Sequence, residues 1–349
     1  MSYRIAINGL GRIGRCVLRA FYESTDYPEI RLVAVNDVAD IGTLSHLIRY
    51  DSTHGRFLGS VEQPGDSLGS DGEFGDAKLL RINGDLLRVF NQANHRNLPW
   101  KELDIDLVME CTGSFTDRET ASKHLDAGAK KVLFSQPADN DVDATVVFGI
   151  NHEILTGEQQ ILSNASCTTN AIIPVIKCLN DAFAIENGVI TTIHSAMNDQ
   201  PVIDAYHHSD LRKTRSAMHS IIPVETEIAR GIGRILPELS GCFEAQAMRV
   251  PTINVSAIDL VVVVKKACSA EEVNAAIKQQ SGQLPTNIMG YTDEPLASCD
   301  FNHDPRSAIV DLSFTRVSGN NLVKILTWFD NEWAYANRML DVAKYLGNL

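Results

Sequence analysis

Three glycines near the N-terminus constrain the fold of this chain more than any other feature. Gly9, Gly11 and Gly14 form a G-x-G-x-x-G pattern between an apolar run, residues 4–8, and an amphipathic stretch that continues to about residue 22. A strand followed at once by a glycine-rich turn and a helix is typical of the first βαβ unit of a Rossmann-type sheet. The pattern therefore predicts an α/β domain with a mostly parallel sheet.

Each position of the pattern has its own physical reason. Gly9 permits the tight turn, Gly11 lets a pyrophosphate approach the backbone, and Gly14 allows the helix to pack closely on the strand. The free N–H groups at the helix N-terminus, around Arg12 and Ile13, carry a partial positive charge that favours a phosphate. These residues are the predicted pyrophosphate site.

Asp37 distinguishes between NAD and a cofactor that carries a 2′-phosphate. It follows the second predicted strand, residues 32–36. A carboxylate at this point can accept hydrogen bonds from ribose hydroxyls and would repel a 2′-phosphate. The glycine pattern alone also occurs in chance turns, and Asp37 alone could be a solvated loop residue. Together they predict NAD as the cofactor.

The overall charge excludes several classes of partner. The 349 residues include 31 Lys and Arg against 44 Asp and Glu, a formal charge of −13. Such a chain is not expected to bind nucleic acid or an anionic membrane through its global field. The longest apolar run, residues 260–264, is too short for a membrane span, and the N-terminus lacks the pattern of a secretory signal. Seven cysteines without a C-x-x-C spacing predict reduced thiols, and so a cytoplasmic location.

The chain divides into two predicted domains. Short buried strands and amphipathic stretches alternate in the first half, at 107–111, 117–127, 131–134 and 145–148, and the Gly-rich residues 58–84 predict loops or hairpins. A predicted helix at 166–183 is followed by longer strand-like runs, which predict a mostly antiparallel sheet. These runs are residues 189–195, 245–249, 256–265, 308–314 and 322–329. We predict an NAD-binding domain over 1–166, completed by a C-terminal helical segment at 331–349, and an α+β catalytic domain over 167–330.

Cys167 is a candidate nucleophile. It lies within the run SNASCTTN, residues 163–170, directly before an apolar helical pattern. The helix dipole at this point should lower the thiol pKa. His194 ends a β-branched run further along the chain, and the two side chains can pair only if the fold brings them together. A lone cysteine is more often a small buried hydrophobe, and a lone histidine is equally often a satisfied core residue. The spacings of Cys and His match no zinc site, so no metal is predicted.

Several longer segments support a family resemblance. They are INGLGRIGR (7–15), YDSTHGR (50–56), ECTGSF (110–115), SNASCTTN (163–170), MRVPTINVSAIDL (248–260) and WFDNEWAYANRM (328–339). On these motifs the sequence resembles the glyceraldehyde-3-phosphate dehydrogenase superfamily over essentially its whole length. Three further segments are similar to the branch of that superfamily that oxidises erythrose 4-phosphate: residues 191–207, 220–227 and 300–311.

The resemblance implies roles for individual residues. Cys167 would form a thioester with an aldehyde substrate, and His194 would act as its base. Arg249 would hold the phosphate of a small phosphorylated aldose. The other expected substrate contacts are Ser166, Thr168, Asp199, Arg215 and Thr226. Further expected cofactor contacts are Ser135, Asn331 and Tyr335. The resemblance also implies a homotetramer, with the long polar loop at 197–220 near a neighbouring subunit's cofactor site.

Two departures from the family pattern bear on the reaction. Met197 stands where phosphorylating relatives carry a threonine, and Thr226-Glu227 stands where they carry Thr-Gly. A carboxylate at Glu227 would repel inorganic phosphate, which favours hydrolysis of the thioester by water and an acid product. The second cysteine usual in the nucleophile segment is replaced by Ala171.

Four activities stay open at this point. The favoured one is NAD-dependent oxidation of erythrose 4-phosphate, on the bacterial route to pyridoxal 5′-phosphate that the family implies. The alternative with the same fold is a phosphorylating glyceraldehyde-3-phosphate dehydrogenase. The other two are a catalytically silent NAD-sensing or scaffold protein and a Cys–His hydrolase without a cofactor. A silent sensor or scaffold is disfavoured by the presence of Cys167, His194 and Arg249 together. A hydrolase without a cofactor is disfavoured by the glycine motif and Asp37.

Overall fold

The chain forms two compact units. The computed structural model describes residues 2–64, 77–207 and 210–349. Its contacts group Met1–Ser166 with Tyr335–Leu349 as unit one, and Cys167–Ala334 as unit two. The second break lies at Tyr335, whereas the sequence analysis assigns residues 331–334 to the first domain. Within the described residues, no helix is both long and apolar enough to cross a bilayer.

Unit one contains a mostly parallel sheet. Among the described residues its strand order is β10-β11-β9-β8-β1-β2-β7-β6-β5, and the bounds are β1 (Tyr3–Asn8), β2 (Ile30–Asn36), β5 (Val61–Glu62), β6 (Lys78–Ile82), β7 (Asp85–Phe90), β8 (Leu107–Glu110), β9 (Lys131–Phe134), β10 (Ala144–Thr145) and β11 (Ile161–Ser163). A separate hairpin pairs β3 (Tyr50–Asp51) with β4 (Gly55–Arg56). In the described part of the large sheet, β5 with β6 and β6 with β7 pair antiparallel, and the other neighbours pair parallel. The predicted Rossmann-type fold is confirmed.

The central strand of this sheet places the glycine motif at a topological switch point. β1 pairs in parallel with β2 on one side and β8 on the other, so Asn8 is level with Asn36 and Glu110. Ile5, Ala6 and Ile7 are fully buried, as is usual where helices cover both faces of a parallel sheet. In open α/β sheets, ligands bind outside the carboxyl ends of the strands at this reversal of strand order.

Two of the described helices of unit one begin at side-chain caps. The described helices of this unit are α1 (Arg12–Glu23), α2 (Ile41–Arg49), α3 (Arg118–Asp126) and, from Tyr335 onward, α7 (Trp333–Gly347). Asp40 and Asp117 cap α2 and α3 by accepting hydrogen bonds from Thr43 and Thr120. Helix α1 differs because, in the described chain, no side chain caps it at Gly11. A helix N-terminus of this kind can bind a phosphate through its first-turn N–H groups.

Unit two contains a mixed sheet with helices packed on it. The order is β13-β14-β12-β15-β18-β17-β16 among the described residues, with bounds β12 (Ile185–His194), β13 (Ile222–Val224), β14 (Phe243–Arg249), β15 (Ser256–Val264), β16 (Met289–Thr292), β17 (Ala308–Ser318) and β18 (Leu322–Phe329). The neighbours pair antiparallel except β12 with β14 and β16 with β17. The helices are α4 (Cys167–Phe183), α5 (Ile228–Ile235) and α6 (Ala270–Ser281). The predicted mostly antiparallel sheet is confirmed.

Some predicted elements need correction. The predicted strand at 145–148 ends at Thr145, because the Asn151 side chain accepts from the Val147 N–H and donates to the Thr145 carbonyl, which makes a turn. Helices α2, α5 and α6 and strands β13 and β16 are absent from the sequence prediction. Part of the predicted loop or hairpin region at 58–84, residues 65–76, lies outside the described residues. The remainder contains β5 and β6, and the partner of β6 in its hairpin, β7, lies beyond the predicted region.

Candidate active site

Cys167 is the first residue of helix α4. The preceding backbone turns sharply, since Ala165 has a left-handed φ of 53° that non-glycine residues seldom adopt. The thiol is partly buried, and its Sγ lies 3.9 Å from the Thr168 hydroxyl. An apolar helix face anchors this terminus, because the buried residues of α4 include Ile172, Ile173 and Ile176. The sequence prediction of a cysteine at a helix N-terminus is confirmed.

His194 is the last residue of strand β12 and faces the thiol. Its Nε2 lies 3.7 Å from Cys167 Sγ, within hydrogen-bond reach for sulfur. On the other side of the ring, Nδ1 lies 2.8 Å from the Ser195 carbonyl oxygen. The imidazole is buried. The fold therefore brings together the cysteine and histidine that the sequence could not itself pair, in the arrangement of a nucleophile and its base.

Arg249 joins this pair through the register of the sheet. Strands β12 and β14 run parallel, and His194 pairs directly with Arg249. Arg249 Nη1 lies 2.9 Å from His194 Nδ1 and 3.4 Å from the Ser195 carbonyl oxygen. Its Nε is buried and has no hydrogen-bond partner among the described residues, and Asp199, whose charge acts on this guanidinium, forms its ion pair with Lys213. Arg249 therefore has free capacity to bind an anion.

The pKa of the Cys167 thiol corrects one sequence prediction. Burial raises this pKa above its ordinary value. The Thr168 hydroxyl, the positive charge of Arg249 and the backbone N–H groups at the helix terminus lower it by a smaller amount. The prediction of a net lowered pKa is wrong because it considered the helix dipole without the loss of solvent around the sulfur.

The pKa of His194 is lowered to about 4. Burial is the main cause and the Arg249 guanidinium is the second, while the Ser195 carbonyl and the carboxylates of Asp199 and Glu332 oppose them. Both members of the pair are therefore neutral near pH 7. A thiolate arises when the imidazole accepts the thiol proton as the substrate is attacked, rather than as a resting ion pair.

The glycine loop of unit one has the geometry of a phosphate cradle. Gly9 has a φ of +91°, and a Cβ at Gly14 would lie 1.9 Å from the Gly9 carbonyl oxygen, so both positions require glycine. A Cβ at Gly11 would meet no described atom within 4 Å. Glycine at this position is not needed for packing and instead leaves the backbone open to a ligand. Together with the uncapped N-terminus of α1, this loop fits a pyrophosphate.

Two charged residues around the loop are already engaged. The Asp37 carboxylate accepts hydrogen bonds from the Leu10 N–H at 2.6 Å and the Ala39 N–H at 2.8 Å. It thus holds the glycine loop against the end of β2, where it is placed to meet a ribose. Arg12 forms a two-point ion pair with Asp51, at 2.5 and 3.1 Å. That pair fixes the first turn of α1, beside the half-buried Ile13.

Comparison with family models decides the family. Residues 3–118 match the model described as the NAD binding domain of glyceraldehyde 3-phosphate dehydrogenase, and residues 166–331 match the model of its C-terminal domain. The chain belongs to the glyceraldehyde-3-phosphate dehydrogenase family. It is accordingly an NAD-dependent oxidoreductase, and the predicted cofactor and fold class are confirmed. Family membership leaves the aldehyde substrate open.

Asn331, a predicted cofactor contact, is held rigidly within unit two. Its Oδ1 accepts hydrogen bonds from the hydroxyls of Ser195, at 3.0 Å, and Ser256, at 2.8 Å. Both lone pairs of this oxygen thus accept hydrogen bonds, and the Nδ2 group is the part of the amide that could donate to a cofactor carbonyl. Sequence reasoning missed both serines, because a contact between residues so far apart leaves no local pattern. Only the position of Ser195 directly after His194 hinted at it.

Two other predicted cofactor residues lie in unit one and have backbone partners. The Tyr335 hydroxyl donates to the Ala165 carbonyl oxygen at 2.8 Å, so this buried side chain supports the segment before the nucleophile. Ser135 follows β9, and its N–H donates to the Glu110 carbonyl. A direct contact of either residue with NAD stays a prediction.

The predicted substrate contacts differ in how close they come to the Cys–His pair. Thr168 is buried beside Cys167, and Ser166 directly precedes it. Asp199 instead pairs with Lys213 at 2.8 Å, and the exposed Arg215 pairs with Asp204 at 2.9 Å. Lys213 is a cation that sequence reasoning missed. Thr226 accepts a weak hydrogen bond from the Ile228 N–H at the start of α5.

Unit one also contains a buried histidine cluster, which we define as Asn8, His95, Glu110 and His124. The ligand atoms of its two histidines and Glu110 lie within 4.8 Å of one another. Trp100 Nε1 donates to His124 Nδ1 at 3.0 Å, so Nδ1 is an acceptor, and Nε2 carries a hydrogen that it donates to Glu110 at 3.1 Å. Asn8 donates to the same carboxylate, and Thr112 donates to its other oxygen. The cluster satisfies its own polar groups.

Proposed function

We propose that this chain oxidises D-erythrose 4-phosphate to 4-phosphoerythronate with NAD, through a thioester on Cys167 that water hydrolyses. The observation that carries the proposal is the 3.7 Å approach of His194 Nε2 to Cys167 Sγ at a helix N-terminus. The choice of aldehyde and of water is supported by sequence similarity to the erythrose 4-phosphate branch and by Met197 and Glu227.

The first step forms a carbon–sulfur bond. His194 Nε2 takes the thiol proton while the sulfur of Cys167 attacks the aldehyde carbon. The imidazolium then returns this proton to the carbonyl oxygen, which becomes the hydroxyl of a hemithioacetal. The backbone N–H of Cys167 lies at the positive end of α4, where it can stabilise the developing oxyanion. His194 then removes the proton of this hydroxyl as the carbon is oxidised. NAD, when bound, supplies the hydride acceptor, and the product on the enzyme is a thioester.

The substrate phosphate has a cationic site nearby. Arg249 has an unpartnered buried N–H among the described residues and lies against the imidazole. Lys213 adds a second cation, although Asp199 already pairs with it. A dianionic phosphate held by Arg249 would place the other end of a short sugar chain at the thiol. This local positive charge explains how a chain of formal charge −13 binds an anionic substrate.

In the second half of the reaction, either water or inorganic phosphate removes the acyl group from Cys167. Met197 offers no hydroxyl to an incoming phosphate, and Glu227 adds a carboxylate at the start of α5. This helix packs near the nucleophile helix, since a Cβ at Gly231 would lie 3.4 Å from Thr169 Oγ1. Glu227 is exposed and pairs with Arg230 at 2.7 Å, so its repulsion of phosphate is partly offset. Water activated by His194 is the deacylating nucleophile that we propose.

One assay tests the proposal and its alternative. NADH formation is measured with D-erythrose 4-phosphate and with glyceraldehyde 3-phosphate, each with and without inorganic phosphate, and the products are identified. We expect turnover of the four-carbon substrate without phosphate, and 4-phosphoerythronate as the product. Strict phosphate dependence with the three-carbon substrate, yielding an acyl phosphate, would instead establish a phosphorylating enzyme.

The assembly and setting follow as part of the same proposal. We propose a cytoplasmic homotetramer whose reaction lies on the route to pyridoxal 5′-phosphate. The loop at 197–220 exposes Val202, Ile203, Tyr206 and Leu211, each by at least 73% in a single chain. Such large exposed apolar side chains are typical of a surface covered by another subunit. Light scattering of the full chain measures the mass directly, and a monomer would contradict this part.

A further inference from the structure

Two neighbours compete for a single nitrogen of His194. Nδ1 lies 2.8 Å from the Ser195 carbonyl oxygen and 2.9 Å from Arg249 Nη1. A carbonyl oxygen only accepts hydrogen bonds, and a guanidinium only donates them. A neutral ring therefore satisfies one of these two neighbours at a time, and the choice fixes its tautomer.

The two tautomers differ in their ability to act on the thiol. With the hydrogen on Nδ1, the ring donates to Ser195 and presents an Nε2 lone pair to Cys167 Sγ at 3.7 Å. This form can take the thiol proton. With the hydrogen on Nε2, the ring accepts from Arg249 and points an N–H at the sulfur. This second form cannot act as the base.

We propose that Arg249 is a positioning residue that holds His194 in the inactive tautomer until an anion binds the guanidinium. A phosphate drawn to Arg249 competes for the N–H that otherwise meets Nδ1. The ring proton then leaves Nε2, exchanges through solvent and is taken up at Nδ1, so the imidazole stays neutral. The base forms only when a phosphorylated ligand is present, which couples substrate recognition to activation of the nucleophile.

The surroundings of Arg249 favour such an exchange. Among the described residues the Nε of the guanidinium has no hydrogen-bond partner. The nearby Asp199 is paired with Lys213 at 2.8 Å. The charged groups that act on His194 have opposite effects. The carboxylates of Asp199 and Glu332 favour the protonated imidazole, and the Arg249 guanidinium disfavours it. An anion on Arg249 would reduce this effect of the guanidinium.

The inference rests on the proposed function in one respect, namely that the substrate carries a phosphate that Arg249 meets. The test needs neither the aldehyde nor NAD. Nitrogen-15 NMR of the full chain with labelled histidine reports which ring nitrogen carries the hydrogen, and the His194 signals are identified by their loss in His194→Asn. Spectra are compared in inorganic phosphate and in chloride at the same ionic strength and pH.

We expect the Nε2–H tautomer of His194 to dominate in chloride, and phosphate to shift the tautomer ratio toward Nδ1–H by about tenfold or more. Arg249→Gln should give the Nδ1–H form in both solutions, a result that a merely structural role would not produce. The same tautomer in both solutions for the unmodified chain would overturn the inference. That comparison decides the matter even if Arg249→Gln does not fold. A wrong aldehyde substrate would leave this result unchanged.

Discussion

Two buried histidines show how different surroundings direct the same side chain toward stability or toward chemistry. His124 in unit one accepts from Trp100 at one nitrogen and donates to Glu110 at the other. His194 in unit two has an acceptor and a donor competing for Nδ1, while Nε2 faces a thiol. The first ring has one satisfied state, whereas the second has two states of comparable hydrogen bonding. A ring with a choice of states can move a proton in catalysis.

The nucleophile gives the largest expected effect. Cys167→Ser should lower kcat for aldehyde oxidation on the order of 10⁴-fold or more, because serine is a far weaker nucleophile beside a base of such low pKa. Steady-state NADH formation measures this loss. Cys178→Ser is the matched control, since Cys178 is a buried core thiol of the same helix, and it should retain turnover per folded chain. Retained turnover in Cys167→Ser would place the chemistry elsewhere.

The same substitution at the two histidines tests the comparison itself. His194→Asn should lower kcat by about 10²–10⁴-fold through loss of the base, with a small effect on unfolding. His124→Asn should destabilise the fold by about 1–3 kcal/mol, because Trp100 and Glu110 lose a buried partner, and leave kcat per folded chain unchanged. Kinetics and denaturant unfolding of both variants separate the two roles. Equal effects of the two changes on kcat would refute the distinction.

The pH dependence of the free energy of unfolding tests the lowered pKa of His194. His194 has a pKa of about 4 in the folded chain against an ordinary value of 6.5. Between these values the unfolded chain binds a proton that the folded chain does not, so stability is lost as pH falls. From pH 6.5 to 5 the unmodified chain should lose about 1.6 kcal/mol more than His194→Asn does. Unfolding curves at both pH values measure this difference, and a loss of the same size in both chains would contradict the lowered pKa.

The glycine loop provides a test of the cofactor region. Gly11→Ala fills open space, so the free energy of unfolding should change by less than about 0.5 kcal/mol, while NAD affinity falls about tenfold as the added methyl blocks the pyrophosphate. Gly14→Ala forces a methyl group against the Gly9 carbonyl and should cost about 1–3 kcal/mol of stability or more. Fluorescence titration and unfolding separate the two effects. Unchanged NAD affinity in Gly11→Ala would mean that the pyrophosphate binds elsewhere.

The smallest expected effect concerns the choice between water and phosphate. Glu227→Gln keeps the shape and removes the negative charge, so inorganic phosphate should compete better with water for the thioester. The ion pair with Arg230 is exposed, and we therefore expect only about a two- to fivefold gain in acyl phosphate product. Product analysis at fixed phosphate measures the ratio. Arg230→Gln is the control and should shift the ratio in the opposite direction.

The sequence predicts those features of the molecule that depend on residues adjacent in the chain. The strand–glycine–helix unit at Gly9–Gly14 and the helix that begins at Cys167 are each specified by neighbours along the chain. The contact of Arg249 with His194 depends on the register of two strands that lie far apart in sequence. The raised thiol pKa likewise reflects the burial of the sulfur in the folded chain, which no local pattern shows.

The acyl-enzyme itself tests the central claim most directly. The full chain is mixed rapidly with D-erythrose 4-phosphate and NAD in phosphate-free buffer, quenched in acid and analysed by intact mass and peptide mapping. The account predicts a burst of NADH and a 4-phosphoerythronyl group on the peptide that contains Cys167, which then decays to the free acid. Oxidation of the aldehyde with no acyl group on Cys167 at any time would contradict it.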